Sequence, residues 1–340
     1  MQSGEHAILV RAKGPRAASR AGRRPAGTSP MKPRDNGADR AWTALLTTLG
    51  GVVLVVAGLI LAVLFKAATP LFHTTGLKDF VTGSNWDPVS GAFGAWPFIY
   101  GTLVTSAVSI LIAVPVAVGL ALFLTQFVPG RVAPALALPV ELLAGIPSVV
   151  YGLWGVFVLV PWLRSSVEPF LQKTLGFLPL FKGPPVGLGY LAGGMILAVM
   201  ILPTICSVSI EVMKTAPNTL RESALALGAT RWEAVRLAVL PYSRAGILGA
   251  ILLGLGRALG ETMAVTMVIG NAPEVHASLF APGYSLPSVI ANEFVEATSG
   301  VHTGALAALG LILFGVTLIL NAGARLLMRS VGPSSPRGRA

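Results

Sequence analysis

The feature that most constrains this chain is a series of apolar segments with few or no charged residues. They lie at 41–65, 97–123, 133–163, 188–210, 245–270 and 303–324. A helix needs about 20 apolar residues to cross the hydrocarbon core of a membrane, and each segment is long enough. Only 11% of the 340 residues are charged and 54% are hydrophobic, which argues against a soluble enzyme. The sequence predicts an all-α integral membrane protein with six transmembrane helices, the first at 41–65.

The distribution of positive charge predicts how the chain is oriented in the membrane. Most of the 25 Lys and Arg residues fall on the side that holds both termini. The loops on the other side hold only Lys66, Lys78, Arg164, Lys173 and Lys182. Because loops rich in Lys and Arg face the cytoplasm, we expect both termini to be cytoplasmic and residues 66–94 to form an extracytoplasmic loop. The net charge of +11 then reflects orientation in a lipid bilayer, and we expect no nucleic-acid partner.

The two ends of the chain differ from the apolar segments. Residues 1–40 are rich in Arg, Ala, Gly and Pro without an apolar period, which predicts a disordered basic tail. Met31 could be an alternative start within it. Residues 329–340 predict a second cytoplasmic tail. The single cysteine, Cys206, excludes an internal disulfide framework, and the four histidines lack the spacing of metal ligands, so we expect no metal site.

The longest loop on the predicted cytoplasmic side is 211–244, and it contains two capping-box patterns. Thr219 precedes Glu222, and Thr230 precedes Glu233, at the spacing that lets each pair bond the other's backbone. Gly228 lies where a helix end needs a left-handed residue, and Pro241 is expected to end the second helix. The pattern predicts two short helices in a hairpin.

This loop has an apolar stripe at i, i+4 and i+7, formed by Leu220, Ala224 and Leu227. The stripe fits two roles, a helix that lies on the lipid surface or one that docks on a soluble partner. No lysine follows Gly and precedes Ser or Thr, as in a nucleotide-binding Walker A loop. We therefore expect no cofactor and no catalytic residue in this chain.

The order of residues in the loop resembles the EAA loop of ABC-importer permeases. Glu222-Ser-Ala224 is followed by three residues and Gly228, and then, after nine intervening residues, by Ala238-Val-Leu-Pro241. Ser223 and Ala238 replace an Ala and an Ile of the family pattern. The resemblance implies the type I ABC importer permease fold, with a coupling helix that contacts a separate ATPase subunit. The coupling residues would be Leu220, Glu222, Ala224, Leu227 and Gly228.

The fifth predicted span contains two charged residues, Arg257 and Glu261. A spacing of four places both on one face of a helix, and Arg257 lies about 12 residues, or ~18 Å, into the span. A charge near mid-membrane costs ~2.5–3.5 kcal/mol on insertion scales. One interpretation is a pair that neutralises itself so that the helix can insert. The other is a pair facing a water-filled pathway, where the guanidinium binds a tetrahedral anion and the carboxylate eases its release.

Two spans extend the resemblance to phosphate-specific ABC permeases, over about residues 95–328. The motifs are Gly256-Arg-Ala-Leu-Gly-Glu-Thr-Met-Ala264 and Glu141-Leu-Leu-Ala-Gly-Ile-Pro-Ser-Val-Val-Tyr-Gly152, closer to the C-type than to the A-type subunit. They imply an importer of inorganic phosphate in the cytoplasmic membrane of a prokaryote. Its partners would be a homologous permease, two ATPase subunits that bind ATP and Mg²⁺, and an extracytoplasmic phosphate-binding protein. Candidate pathway residues are Arg257, Glu261, Glu141, Ser148 and Thr262.

Three alternatives remain at the level of the sequence. A permease for another oxyanion, such as sulfate or molybdate, would share the same class of fold. A secondary transporter or anion channel could use Arg257 but would need no docking hairpin. A membrane scaffold without transport activity would leave the charges in the fifth span unexplained.

Overall fold

The computed structural model describes residues 37–331, and the regular structure in this range is helical apart from two isolated β-bridges. Six segments are long and apolar enough to cross a membrane, which confirms the prediction of an all-α protein with six such helices. We label them α1 (Gly37–Thr74), α3 (Trp96–Phe127), α5 (Ser148–Leu175), α6 (Tyr190–Lys214), α8 (Arg231–Gly260) and α11 (Gly300–Val331). Shorter helices are α2 (Leu77–Thr82), α4 (Ala133–Ala144), α7 (Asn218–Ala226), α9 (Met263–Val268) and α10 (Leu286–Glu293).

The chain divides into two compact units, Met1–Ala57 and Gly58–Ala340. The described part of the first unit is the beginning of α1, whose side chains are almost all exposed. The second unit holds the remaining helices and the hydrophobic core. The predicted tails lie mostly outside the described residues, although 37–40 and 329–331 are helical. Helix α1 is also longer than the predicted span 41–65, and it takes up the start of the predicted loop 66–94.

The centre of the second unit is α6, packed against α3 through small residues. Ala113, Ala117 and Ala121 of α3 are fully buried in this core. A Cβ atom added at Gly194 of α6 would collide with the side chain of Val108. Lipid provides little hydrophobic driving force between helices, so close approach at small residues is how membrane helices gain packing energy.

The third span differs from its prediction, and the placement at 133–163 is wrong. Helix α4 ends at Ala144, and α5 begins at Ser148 after Pro147, whose backbone is extended (φ −60°, ψ 142°). Proline disfavours a helical residue before it, so the apolar run is broken in two. The span then continues to Leu175, beyond the charges that suggested a loop. One of them, Glu168, is buried and accepts a hydrogen bond from the Gly187 N–H at 2.9 Å.

The predicted hairpin loop at 211–244 is shorter in the structure. Helix α6 extends to Lys214, and α8 begins at Arg231 and continues without a break to Gly260. The prediction that Pro241 ends a helix is therefore wrong. A π-helical turn over Val235–Val239 precedes the proline, and the Leu240 N–H bonds the carbonyl five residues back. This wider turn accommodates the proline ring.

The packing of α6 on α3 leads to a first prediction. Gly194→Ala places a methyl group against Val108, and overpacking of this kind costs about 1–3 kcal/mol. We expect the melting temperature of the purified protein in detergent to fall. Gly119→Ala is the matched control, because a Cβ atom at Gly119 has no neighbour within 4 Å. Equal melting temperatures for the two variants would contradict the packing described for α6.

Candidate functional site

The helix that carries Arg257 ends within one turn of it. Helix α8 stops at Gly260, Glu261 is extended (φ −72°, ψ 128°), and α9 begins at Met263. Arg257 thus lies in the last turn of α8, whereas Glu261 lies outside that helix. The prediction that both charges share one face of a single helix is wrong.

A hydrogen bond to the backbone determines the position of the Glu261 carboxylate. Its carboxylate Oε1 accepts the N–H of Ala264 in the first turn of α9, at 3.2 Å. The first N–H groups of a helix have no partner within that helix, so an acceptor of this kind stabilises its start. Among the residues whose side chains the structure describes, no carboxylate lies within ion-pair distance of Arg257. This geometry disfavours the interpretation of a self-neutralising pair.

The side chain of Arg257 lines a cavity of about 630 Å³ in the second unit. The cavity walls come from α6, α8 and α11, and the other lining residues are Thr204, Gly249, Leu252, Leu253, Gly256, Asn321 and Arg325. Sequence reasoning missed Thr204, Asn321 and Arg325. Arg325 follows the last apolar segment, where it counted only as a positive charge near the cytoplasm.

The break before α5 lies beside the break before α9. A Cβ atom at Gly152 would lie 3.2 Å from the Ala264 Cα, so the two helices meet at the backbone. The Tyr151 hydroxyl donates to the Leu143 carbonyl at 2.7 Å and so ties α5 to the end of α4.

The remaining pathway candidates fall into two groups. Ser148 is half-buried in the first turn of α5, and the Thr262 hydroxyl bonds the Gly260 carbonyl at 3.3 Å, so both lie at the helix breaks. Glu141 is exposed on α4 and lines a different cavity, of about 950 Å³, together with Lys214. The structure therefore does not bring Glu141 to Arg257, and its expected place within the third span is wrong.

Only one of the two predicted capping boxes forms. Thr230 and Glu233 bond each other's backbone as predicted, with 2.7 Å between the Thr230 nitrogen and the Glu233 Oε2. Helix α7 instead begins after Pro217 with no side-chain cap. The prediction that Thr219 caps a helix with Glu222 is wrong, because the helix already begins at Asn218.

The end of α7 is fixed by Gly228, as the sequence predicted. Gly228 has a φ of +89°. Its N–H bonds the Leu225 carbonyl at 3.0 Å, and the Ala229 N–H bonds the Ala224 carbonyl at 3.1 Å. These two bonds form a Schellman motif, in which a left-handed residue satisfies the last carbonyls of a helix. The turn between α7 and α8 is thus held by specific backbone bonds.

The surface of α7 has unpaired groups. Glu222 is exposed and makes no hydrogen bond or ion pair with the described residues. Leu220 is 41% exposed and Leu227 is 90% exposed, whereas Ala224 is half-buried. The predicted stripe is therefore largely uncovered by this chain. An exposed apolar surface rimmed by polar groups is typical of a contact with another protein or with the membrane.

Comparison with known proteins identifies the family to which this chain belongs. The model of a family described as "Binding-protein-dependent transport system inner membrane component" matches residues 89–333. The chain belongs to this family. Its six apolar helices identify this permease as a multi-pass inner membrane protein.

Several curated relatives of the permease carry a more specific name. "Phosphate transport system permease protein PstC" of Mesorhizobium japonicum is 49% identical over 283 residues, covering 82% of this chain and 86% of that protein. The protein of the same name in Xylella fastidiosa is 45% identical over 300 residues, covering 87% and 92%. "Phosphate transport system permease protein PstC 2" of Mycobacterium tuberculosis is 40% identical over 303 residues, covering 87% and 93%.

The solved structures agree on the fold. A chain of a bacterial alginate ABC transporter, in complex with an alginate pentasaccharide-bound periplasmic protein, superposes with a TM-score of 0.57. It is 18% identical and covers 86% of this chain and 96% of that chain. The expected type I ABC importer permease fold is therefore confirmed.

The caps of the α7–α8 turn lead to a second prediction. Thr230→Ala removes a formed N-cap, a change that costs about 1 kcal/mol. We expect faster amide hydrogen exchange in residues 230–234, measured by mass spectrometry on the purified protein. Thr219→Ala should leave exchange at the start of α7 unchanged, because that threonine caps no helix. Faster exchange in both variants would contradict the single capping box.

Proposed function

We propose that this permease is the membrane subunit of an ATP-driven importer of inorganic phosphate. The observation that carries the proposal is Arg257, a guanidinium that lines a cavity at a break in the fifth span and has no carboxylate partner among the residues that the structure describes. Arginine presents a planar fork of donors that matches two oxygens of a tetrahedral oxyanion. Relatives 49% and 45% identical, named as phosphate permeases, support the same substrate.

Glu261 contributes indirectly to anion binding at Arg257. Its carboxylate is bonded to the α9 backbone, so it holds the second half of the broken helix in place and does not pair with Arg257. The negative charge also reduces the net positive potential near the cavity. A transport pathway must bind its ion and also release it, and a carboxylate near the site keeps binding from becoming too strong.

The energy for transport comes from other chains. We propose that two ATPase subunits bind ATP and Mg²⁺, and that one of them binds α7 through its exposed residues. The exposed residues are Leu220, Glu222 and Leu227, the half-buried Ala224 lies on the same stripe, and Gly228 fixes the end of the helix. A homologous second permease completes the pathway, and an extracytoplasmic binding protein delivers phosphate. Both termini then lie in the cytoplasm of a prokaryotic cell, and this chain has no cofactor or catalytic site of its own.

Transport follows alternating access. When the ATPase subunits close on ATP, they draw the docked α7 helices together, and the spans open the cavity toward the binding protein. Phosphate then enters and binds Arg257. Hydrolysis separates the ATPase subunits, and the cavity opens toward the cytoplasm. The turn between α7 and α8 is closed by defined backbone bonds, so movement of α7 is passed on to α8 and to Arg257.

The alternatives are less consistent with these observations. A secondary transporter or a channel needs no exposed docking helix, so the exposure of Leu227 at the end of α7 would remain unexplained. A sulfate or molybdate permease could use the same arginine, but the relatives named above are phosphate permeases. A scaffold without transport activity leaves Arg257 unexplained.

Uptake of labelled phosphate by cells tests the substrate and the site together. Arg257→Gln removes the charge and keeps hydrogen-bonding capacity, and loss of a charge-assisted bond predicts that uptake falls about tenfold or more. Sulfate uptake should be unchanged. Arg244→Gln, an exposed arginine on α8 outside the cavity, is the control for charge. Unchanged phosphate uptake in Arg257→Gln, at equal membrane abundance, would refute the role of Arg257.

The docking of α7 is tested by purification of the complex. Leu227→Ser replaces an apolar side chain that is 90% exposed, so it should leave folding intact while it weakens the contact with the ATPase. We expect less ATPase subunit to remain bound during purification in detergent, and slower phosphate uptake. Val295→Ser is the control, because Val295 is equally exposed but lies on the predicted extracytoplasmic side. Full retention of the ATPase in Leu227→Ser would argue against docking through α7.

A further inference from the structure

The cavity beside Arg257 holds a second guanidinium. Arg325 of α11 lines the same volume of about 630 Å³, which it shares with Asn321 one turn earlier and with Thr204 of α6. No motif singled out Arg325, and the function proposed above does not use it.

The two arginines approach the cavity from opposite ends. Side chains on an α-helix lean toward the helix N-terminus. Helices α8 and α11 are consecutive spans and so cross the membrane in opposite directions. Arg257 therefore leans back along α8 toward Gly249, while Arg325 leans back along α11 toward Asn321. The two side chains therefore lean in opposite directions along the membrane normal, and both residues line one cavity.

The charges of this pair are not balanced within the described residues. Neither Arg257 nor Arg325 has a carboxylate within ion-pair distance in that part of the chain. Like charges that border one cavity repel each other, and the repulsion grows as water is excluded. A bound anion offsets this repulsion and accepts hydrogen bonds from both guanidinium groups at once.

The uncharged side chains that line the cavity limit which anions it can bind. The Asn321 amide nitrogen donates to the Thr317 carbonyl at 2.8 Å, so the amide oxygen remains as an acceptor. The Thr204 hydroxyl makes no hydrogen bond within the described residues and can donate or accept. Two guanidinium donors together with an acceptor suit an oxyanion that still carries a proton. Phosphate carries one near neutral pH, whereas sulfate does not.

We propose that Arg325 is a second anion-binding residue, which together with Arg257 holds the transported oxyanion in this cavity, and that Asn321 accepts the proton-bearing oxygen. The proposal rests on the function proposed above. Arg325 lies near the predicted cytoplasmic end of α11, so it provides the contact that the anion keeps as it leaves Arg257 toward the cytoplasm. The same guanidinium could instead bind the phosphate of a lipid headgroup, and the experiment separates these sources.

The first measurement is uptake of labelled phosphate by the complete transporter, with membrane abundance matched between variants. We expect Arg325→Gln to lower the rate about tenfold. The uptake rate of Arg325→Lys should lie between those of Arg325→Gln and the unchanged protein, because lysine keeps the positive charge but lacks the planar pair of donors. Arg244→Gln removes an equivalent positive charge from α8 and should leave the rate unchanged. Equal rates in Arg325→Gln and Arg244→Gln would overturn the proposal.

The second measurement detects the anion in the cavity directly. Leu252→Cys places a thiol on the cavity wall, and the native Cys206 is fully buried, so an impermeant maleimide reports on the new thiol. In inside-out vesicles that contain the complete transporter, we expect phosphate to slow alkylation more than sulfate does at matched ionic strength. Adding Arg325→Gln should abolish this protection, whereas adding Arg244→Gln should not.

The outcomes separate the two ideas. If the unchanged transporter imports no phosphate, the proposed function fails. If it imports phosphate and protection survives Arg325→Gln, only the role of Arg325 fails, and the residue binds a lipid headgroup or nothing. Equal protection by sulfate and phosphate would refute the role of Asn321 while it leaves the two-arginine site in place.

Discussion

Backbone hydrogen bonding at the helix breaks is the constraint on which the rest of this structure depends. Inside a membrane there is no water to satisfy a free N–H or C=O group, so a broken helix must find partners within the protein. Glu261 supplies one by accepting the Ala264 N–H, and Tyr151 supplies another by donating to the Leu143 carbonyl. Each bond stabilises its own break, and the two breaks lie side by side because α5 and α9 are in contact at Gly152.

This constraint determines the electrostatics of the site. A carboxylate four residues from Arg257 would pair with it on a continuous helix. Because the helix ends at Gly260, the carboxylate bonds to backbone and the guanidinium is left for a ligand. In the proposed function, an anion bound in the cavity offsets the cost of a charge within a span. Arg325, which lines the same cavity, is proposed as a second group that binds the anion.

In the proposed function, the coupling segment, residues 218–234 from the start of α7 to the first turn of α8, connects this cavity to the ATPase subunits. Its rigidity comes from local bonds, namely the Schellman motif at Gly228 and the capping box of Thr230 with Glu233. Its apolar surface consists of side chains that the described residues leave uncovered, such as Leu227. A firm turn with an exposed apolar surface can transmit force from a docked partner into α8.

The sequence by itself determined the class of fold and several sites. The number of spans followed from apolar length, and Gly228 and the Thr230 cap followed from local backbone requirements, because these depend only on neighbouring residues. The tertiary structure decided where the helices break and which side chains share a cavity. Pro147 interrupts a run that hydropathy treated as continuous. Because the helix ends at Gly260, Glu261 accepts the N–H of Ala264, three residues later, and does not pair with Arg257. Arg325 lies 68 positions from Arg257 in the numbering of the chain, so no local pattern could place the two in one cavity. That placement depends on the packing of α6, α8 and α11.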